Sequence, residues 1–246
     1  DHTEFIITEN EALNQLENII NHMDEPFADS SALPTMLVSK MAKKHVTVCL
    51  SGDGGDELFM GYGAYNWAKR FSNPLLWNSR KAISFFLSIS TKNKLKRAGL
   101  VFNCPKVNWK SHIFSQEQCL FSEEELNYLL LKGTSSIINS VNNKPNLKRK
   151  LSSKESQAYF DINNYLIDDL LVKVDRSSMY CSLEARVPLL DHKIIEFALN
   201  INEDLKIKNG TQKHLLKELS YDYIPREIME RPKWGFSIPL ENWLKN

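Results

Sequence analysis

Apolar positions in the first fifth of the chain are spaced in two different ways. From Glu9 to Met23 they recur at Ala12, Leu13, Leu16, Ile19, Ile20 and Met23, the i, i+3, i+4 stripe of an amphipathic helix. Ahead of it, Glu4 to Thr8 reads as a short strand. Behind it, Asp24-Glu25-Pro26-Phe27-Ala28-Asp29-Ser30-Ser31 reads as a loop, because the proline stops regular pairing and Ser30 or Ser31 can cap a helix after it. The spacing then predicts a helix from Ala32 to Lys43, with Pro34 in its first turn. Val46-Thr47-Val48-Cys49-Leu50 is a compact apolar run rich in β-branched residues, which predicts an interior strand of a parallel sheet. Strand, helix, loop, helix, strand is βαβ-like organisation.

Beyond Phe59 the pattern becomes helical. Gly61-Tyr62-Gly63 breaks the chain, and Ala64 to Phe71 and Leu75 to Ile89 read as helices. Glu123 to Leu131 and Ile137 to Val141 continue in that style, and little of Met60 to Lys150 reads as strand. From Lys154 onward the sequence is dense again. Tyr159 to Leu166 predicts a helix, followed by Ile167 to Tyr180 and by Ser182-Leu183-Glu184-Ala185-Arg186-Val187-Pro188-Leu189-Leu190-Asp191. Charge and aliphatic residues alternate too tightly there for one amphipathic face, which points to buried ion pairs or a lined cleft. Asp191 is placed to cap a helix from Lys193 to Leu199. The tail from Arg231 to Leu240 has two prolines, a glycine and two aromatics around Lys233, the composition of an ordered loop.

The chemistry concentrates just after the apolar strand, in Ser51-Gly52-Asp53-Gly54-Gly55-Asp56-Glu57. Its glycines permit turned backbone with uncovered N–H groups. A strand, a glycine-rich turn and a helix start together favour an anion. Acids within such a pocket make sense when a divalent metal lies between them and a phosphate. The stretch therefore reads as a nucleotide-plus-magnesium site at the C-terminal edge of a parallel sheet. A tight acidic turn in which Asp56 only caps a helix fits the local pattern equally well. An EF-hand does not, for want of alternating ligands and the distant glutamate.

Composition narrows the classes. The 246 residues are 42% hydrophobic, enough for one large domain or two small ones. Lysine and arginine number 31 against 30 acids, net +1, so neither nucleic acid nor a membrane is expected as the main partner. Basic runs at Lys92 to Arg97 and Lys144 to Lys150 lack interleaved aromatics and read as solvated surface. Cys49, Cys104, Cys119 and Cys181 show no paired spacing, which disfavours disulfides and zinc and suits a cytoplasmic protein. No apolar run reaches membrane-spanning length. Asp1-His2-Thr3-Glu4 has no signal-peptide character and no initiator methionine, so the chain is expected to begin inside something larger or after processing.

Taken together, Asp24 to Ala32, Ser51 to Glu57, Ser182 to Asp191 and Arg231-Pro232-Lys233 through Pro239 resemble the synthetase domain of glutamine-dependent asparagine synthetases. Four separated motifs in register carry the resemblance, which is weakest in the middle of the chain. It implies a mostly helical α/β fold, with a parallel-sheet core of the adenine-nucleotide-hydrolase (ATP pyrophosphatase) kind and added helices. Residues 1–246 would be a partial synthetase domain, with 1–72 and 154–246 as nucleotide and acceptor core and 73–153 as a helical excursion. The implied enzyme is an ATP-dependent carbon–nitrogen ligase that adenylylates the side-chain carboxylate of aspartate and amidates it with ammonia from glutamine. ATP and Mg²⁺ are its implied cofactors and an N-terminal glutaminase domain its implied partner, with a homodimer left open.

By position, the resemblance implies that Ser51 and Gly52 contact the nucleotide, largely through backbone, and that Asp56 binds magnesium. Lys233 would hold the pyrophosphate, and Asp53 would take a proton from the attacking ammonia. The best-known members carry glutamate at the position of Asp53, so the base is shorter here. Glu184 and Arg186 are expected to hold the core by pairing rather than to act directly. Asp168, Asp169, Lys173, Asp175 and Arg176 fit either the acceptor side of a cleft or a solvated helix face. The family's S-G-G-x-D-S phosphate loop and nucleophilic N-terminal cysteine do not occur in the 246 residues, and the expectation is that both lie upstream of Asp1. On that expectation the chain alone neither binds Mg-ATP appreciably nor makes asparagine. Other readings are an amidotransferase for another carboxylate, a cyclase like β-lactam synthetase (disfavoured by Asp53), and a silent scaffold (disfavoured by Asp53, Asp56 and Lys233 together).

Overall fold

The structure is a computed structural model that describes residues 2–6, 8–106, 109–117, 128–130 and 149–230. In chain order its elements are α1 (Glu9–His22), α2 (Ala32–Ala42), β1 (Val48–Leu50), α3 (Gly55–Phe59), α4 (Ala64–Phe71), α5 (Pro74–Ser88), α6 (Asn93–Phe102) and α7 (Trp109–Glu117). After these come α8 (Ser153–Asp161), a π-helix (Ile162–Leu170), α9 (Leu171–Tyr180), β2 (Glu184–Arg186) and a 3₁₀ turn (Pro188–Leu190). The last are α10 (His192–Asn200), α11 (Glu203–Lys206), α12 (His214–Ser220) and α13 (Arg226–Met229). The expected helices at Glu123–Leu131 and Ile137–Val141, the Lys144–Lys150 run and the Arg231–Leu240 loop lie wholly or mostly outside the described residues.

The chain divides into two compact units. The first comprises residues 1–55, 165–201 and 215–246. Its core is the buried stripe of α1 against α2: Ala12, Ile19, Met23, Ala32, Leu33, Met36 and Leu37. Thr8 starts α1 with a capping box, in which Glu11 N–H donates to the Thr8 hydroxyl at 3.3 Å and Thr8 N–H donates to the Glu11 carboxylate at 3.0 Å. That role replaces the expected Glu4–Thr8 strand; residues 2–6 pair with no strand among the described residues. Ser31 stands at the start of α2 but does not cap it with its side chain. Its hydroxyl donates to Asp29 Oδ1 instead, at 2.7 Å. Asp191 does cap α10, accepting from Lys193 N–H at 2.9 Å.

The parallel pairing is present and narrower than the apolar run suggests. β1 pairs with β2 in parallel, Val48 with Glu184, Cys49 with Ala185 and Leu50 with Arg186. The expectation of an interior strand over Val46 to Leu50 is not met, since Val46 is 44% and Leu50 73% exposed. The described sheet has two strands, and no described strand covers the other edge of β1. Apolar pattern reports what a strand can bury; burial itself needs a neighbour.

The second unit comprises residues 56–164 and 202–214. One cluster gathers Ala64, Ala68, Phe71, Val101, Cys104 and Ile113, with Trp67 and Trp77 against it. A second joins Met60, Tyr65 and Ala158. Asn73 caps α5 ahead of Pro74, accepting from Leu75 N–H at 2.9 Å. The Lys92–Arg97 run is exposed on α6, as expected. At the end of α8 the Asn163 and Asn164 amides donate to the carbonyls of Tyr159 and Phe160, at 2.7 and 2.6 Å. The nine residues from Ile162 wind as π-helix.

Candidate functional site

The glycine-rich turn begins where the ladder ends. Ser51 N–H donates to Arg186 O at 2.8 Å, which extends the β1–β2 pairing by one residue. Ser51 therefore offers its hydroxyl rather than its amide, and that hydroxyl donates to Asp53 Oδ2. Gly52 has open space where a Cβ would stand, so its backbone can be approached closely. Gly54 is different. Its φ is +81°, and a Cβ there would meet Leu190 Cδ2 at 2.3 Å, so the turn requires glycine on both counts. Beside it, Arg186 Nε donates to Glu184 Oε1 at 2.7 Å, with the side chains 64% and 53% exposed. The expected core pairing of these residues is thus an exposed pairing with each other, of small energetic weight.

Asp56 belongs to the second unit and lies in the first turn of the five-residue α3. Gly61 N–H donates to its carbonyl at 2.7 Å. The carboxylate lies over Gly61, where a Cβ would stand 1.6 Å from Oδ1. Lys213 Nζ is 3.0 Å from the same oxygen. Below them is a buried acidic layer. Glu57 is 1% exposed and accepts from the Tyr62 hydroxyl at 2.6 Å. Asp161 accepts from Gln157 Nε2 at 2.9 Å. Burial, with Glu57's charge adding to it against the bond from Gln157, pushes the Asp161 carboxyl up to about 7. Burial and the charge of Asp161 hold the Tyr65 hydroxyl well above its usual value, so it remains a donor.

A different constellation forms in the first unit. Lys173 Nζ donates to Asp29 Oδ2 at 2.8 Å and to the Ser31 hydroxyl at 2.9 Å. Burial tends to raise the Asp29 carboxyl, but the bonds from Lys173 and Ser31 outweigh it and hold the group below its ordinary value. Asp169, on the π-helix, goes the other way: burial and then the charge of Asp29 push it up to about 6, with Lys173 opposing. Arg176 donates to Met23 O. Lys173 and Asp169 thus belong to an internal network, whereas Asp168 is exposed. An apolar cavity of about 700 Å³ lies between α1 and the loop before α2, lined by Leu16, Ile20, Phe27 and Leu33. Its lining has Asp24, Glu25 and Asp29 and no lysine or arginine, which disfavours a triphosphate.

Of the expected site residues, Ser51 is brought against Asp53, Gly52 stands open beside them, and Asp56 is gathered with Gly61 and Lys213. Lys233 lies outside the described residues. Lys213 was not singled out in the sequence, although Asn209-Gly210 just before it is a strong short hairpin signal. No group of three histidine, cysteine or acidic side chains suited to a metal exists among the described residues. Asp56 alone fits magnesium as a single carboxylate ligand, since that ion keeps several waters and takes its other ligands from phosphate. The missing Cβ of Gly61 gives the carboxylate itself the place it occupies.

The family model described as asparagine synthase matches residues 1–246. Asparagine synthetase (glutamine-hydrolyzing) 1 of Bacillus subtilis (strain 168) is 34% identical over 98% of the chain and 38% of its own length. Asparagine synthetase (glutamine-hydrolyzing) 3 of the same organism is 25% identical over 94% of the chain and 33% of its own length. The glutamine-hydrolyzing asparagine synthetase of Mus musculus is 43% identical over 33% of the chain and 15% of its own length. The chain spans less than two fifths of the length of the curated relatives it matches.

Proposed function

Since the chain belongs to the asparagine synthase family, we propose that it carries the acceptor-activating part of an ATP-dependent ligase that converts the side-chain carboxylate of aspartate to an amide. Glutamine is the proposed source of ammonia, through a glutaminase domain of the complete protein. Free Cys49, Cys104 and Cys181 fit a cytoplasmic setting. The single observation that carries the reading is that the Ser51–Asp53 turn leads directly along the chain into an Asp56 carboxylate given room by Gly61.

In this reading an acceptor carboxylate oxygen bonds to the α-phosphorus of ATP and pyrophosphate leaves. Ammonia then attacks the acyl carbon, one of its protons passes to a base, and AMP leaves with the electron pair of the broken C–O bond. Magnesium held by Asp56 would offset the charge of the phosphates. Asp53 is the proposed base. The Ser51 hydroxyl occupies Oδ2 and fixes the carboxylate's orientation, so that Oδ1 is the oxygen assigned to the proton. Gly52 lets the nucleotide approach the backbone, and Lys233 is assigned to the departing pyrophosphate.

The test separates the two half-reactions in the complete protein. Exchange of labelled pyrophosphate into ATP should depend on aspartate and not on other small carboxylic acids. Asp53→Asn should keep that exchange measurable while amide formation falls by about 10²-fold or more. Exchange driven better by another acid would replace aspartate as acceptor. Equal loss of both half-reactions in Asp53→Asn would remove Asp53 as the ammonia base.

A further inference from the structure

The segment that delivers Lys213 is built more tightly than a surface lysine requires. Lys208 N–H donates to Thr211 O at 3.1 Å and Thr211 N–H donates to Lys208 O at 2.8 Å. Between them Asn209 and Gly210 have φ of 51° and 81°, the two left-handed residues of a type I′ turn. Next, Gln212 Nε2 donates to Tyr62 O at 2.7 Å, which fastens the strap to the loop after α3. Lys213 itself has φ of 53°, a conformation sparsely populated by lysine. Its ammonium ends 3.0 Å from Asp56 Oδ1, with the two side chains 33% and 23% exposed.

That oxygen is buried and fills the place a Cβ on Gly61 would take, so a cation reaches it only where the ammonium now stands. Two cations cannot share one carboxylate oxygen at contact distance without strong mutual repulsion. We propose that Lys213 is a resident counter-cation of Asp56 that must release it before a divalent ion can bind. Lys213 thereby holds the carboxylate formed and aimed while setting a threshold for metal entry. A metal bound without a nucleotide has to displace the ammonium unaided. One bound to a nucleotide arrives with phosphate oxygens that can accept the displaced ammonium, so the arrangement favours the metal–nucleotide complex over the free metal. The inference rests on the reading of Asp56 as a metal ligand.

The probe is Mn²⁺ alone, titrated into the complete protein without nucleotide and followed by electron paramagnetic resonance. Lys213→Met and Lys213→Gln should bind Mn²⁺ roughly tenfold more tightly than wild type, because the competing charge is gone. Lys213→Arg, which keeps the charge, should stay near wild type. Asp56→Asn should abolish the ion that the lysine variants tighten. If Asp56→Asn removes the ion but neither neutral variant tightens it, the counter-cation proposal is overturned and the metal-ligand reading stands. If Asp56→Asn leaves Mn²⁺ binding unchanged, the metal-ligand reading itself falls, and the proposal with it. Matching thermal unfolding midpoints for Met, Gln and Arg variants separate a local charge effect from loss of fold.

Discussion

Two lysine–aspartate pairs, one in each unit, use the same groups at nearly the same distance, 2.8 Å for Lys173–Asp29 and 3.0 Å for Lys213–Asp56. Their surroundings differ. Lys173 is 10% exposed, bonds Ser31 as well, and faces a second carboxyl on Asp169. Lys213 is 33% exposed and reaches Asp56 from a strained turn. The first pair is enclosed in the fabric of its unit. The second has a more exposed lysine on a carboxylate of similar burial, the one proposed to take a metal. The chemical identity of a pair therefore says little about its purpose; enclosure and the cost of releasing it say more.

The sharpest way to break this contrast is to remove each lysine in turn. Lys173→Met leaves the Asp29 carboxylate half-buried without its cation and should destabilise the protein by about 3–5 kcal/mol in denaturant titration. A loss within a fraction of a kcal/mol would place the Lys173 pair in the same class as the exposed one. Gly61→Ala attacks the second pair without touching either charged group. The clash falls on the movable end of the Asp56 side chain, so the fold should survive with little change in stability. The displaced carboxylate should lower acceptor-dependent ATP–pyrophosphate exchange by about 10²-fold. Unchanged exchange would show that the space above Gly61 is not used.

The two buried acidic environments also differ in how they respond to pH. The Asp161 carboxyl holds its proton up to about 7 in the folded protein, against an ordinary value of 3.8. Between those values the folded state binds more protons than the unfolded one, so stability falls as pH rises, and the cost is complete above about pH 7. Asp169 acts with the same sign up to about 6. Asp161→Asn should therefore shrink the loss of thermal stability seen on going from about pH 5 to pH 8, leaving the smaller slope from Asp169. An unaltered slope would show that Asp161 does not titrate as its burial dictates. The smallest effect is expected for Lys213→Met, which should change stability by no more than about 1 kcal/mol. A loss as large as that of Lys173→Met would erase the distinction.

The sequence was most legible where one feature acts locally. The stripe from Ala12 to Met23 marks α1, because periodicity needs no distant partner, whereas the Asn73 cap ahead of α5 was passed over in a helix read from Leu75. Asp191 capping α10 was readable because a cap is local too. The Val46–Leu50 run was legible as parallel strand and misleading as to burial, since burial depends on what lies across the other edge. The π-helix had no signal in apolar spacing. Within the site, the glycines and Asp56 stood out as a motif. The turn at Asn209-Gly210 was equally visible, yet nothing local shows that it aims Lys213 at a residue more than 150 positions earlier.

The role proposed for Asp56, a carboxylate that takes the metal of a nucleotide complex, can be tested by one substitution. Asp56→Asn nearly preserves the side chain's shape while removing its charge. In the complete protein we expect aspartate-dependent ATP–pyrophosphate exchange to fall by about 10²-fold or more, with the unfolding midpoint within a few degrees of wild type. Exchange at the wild-type rate, in a variant folded as stably as wild type, would contradict it.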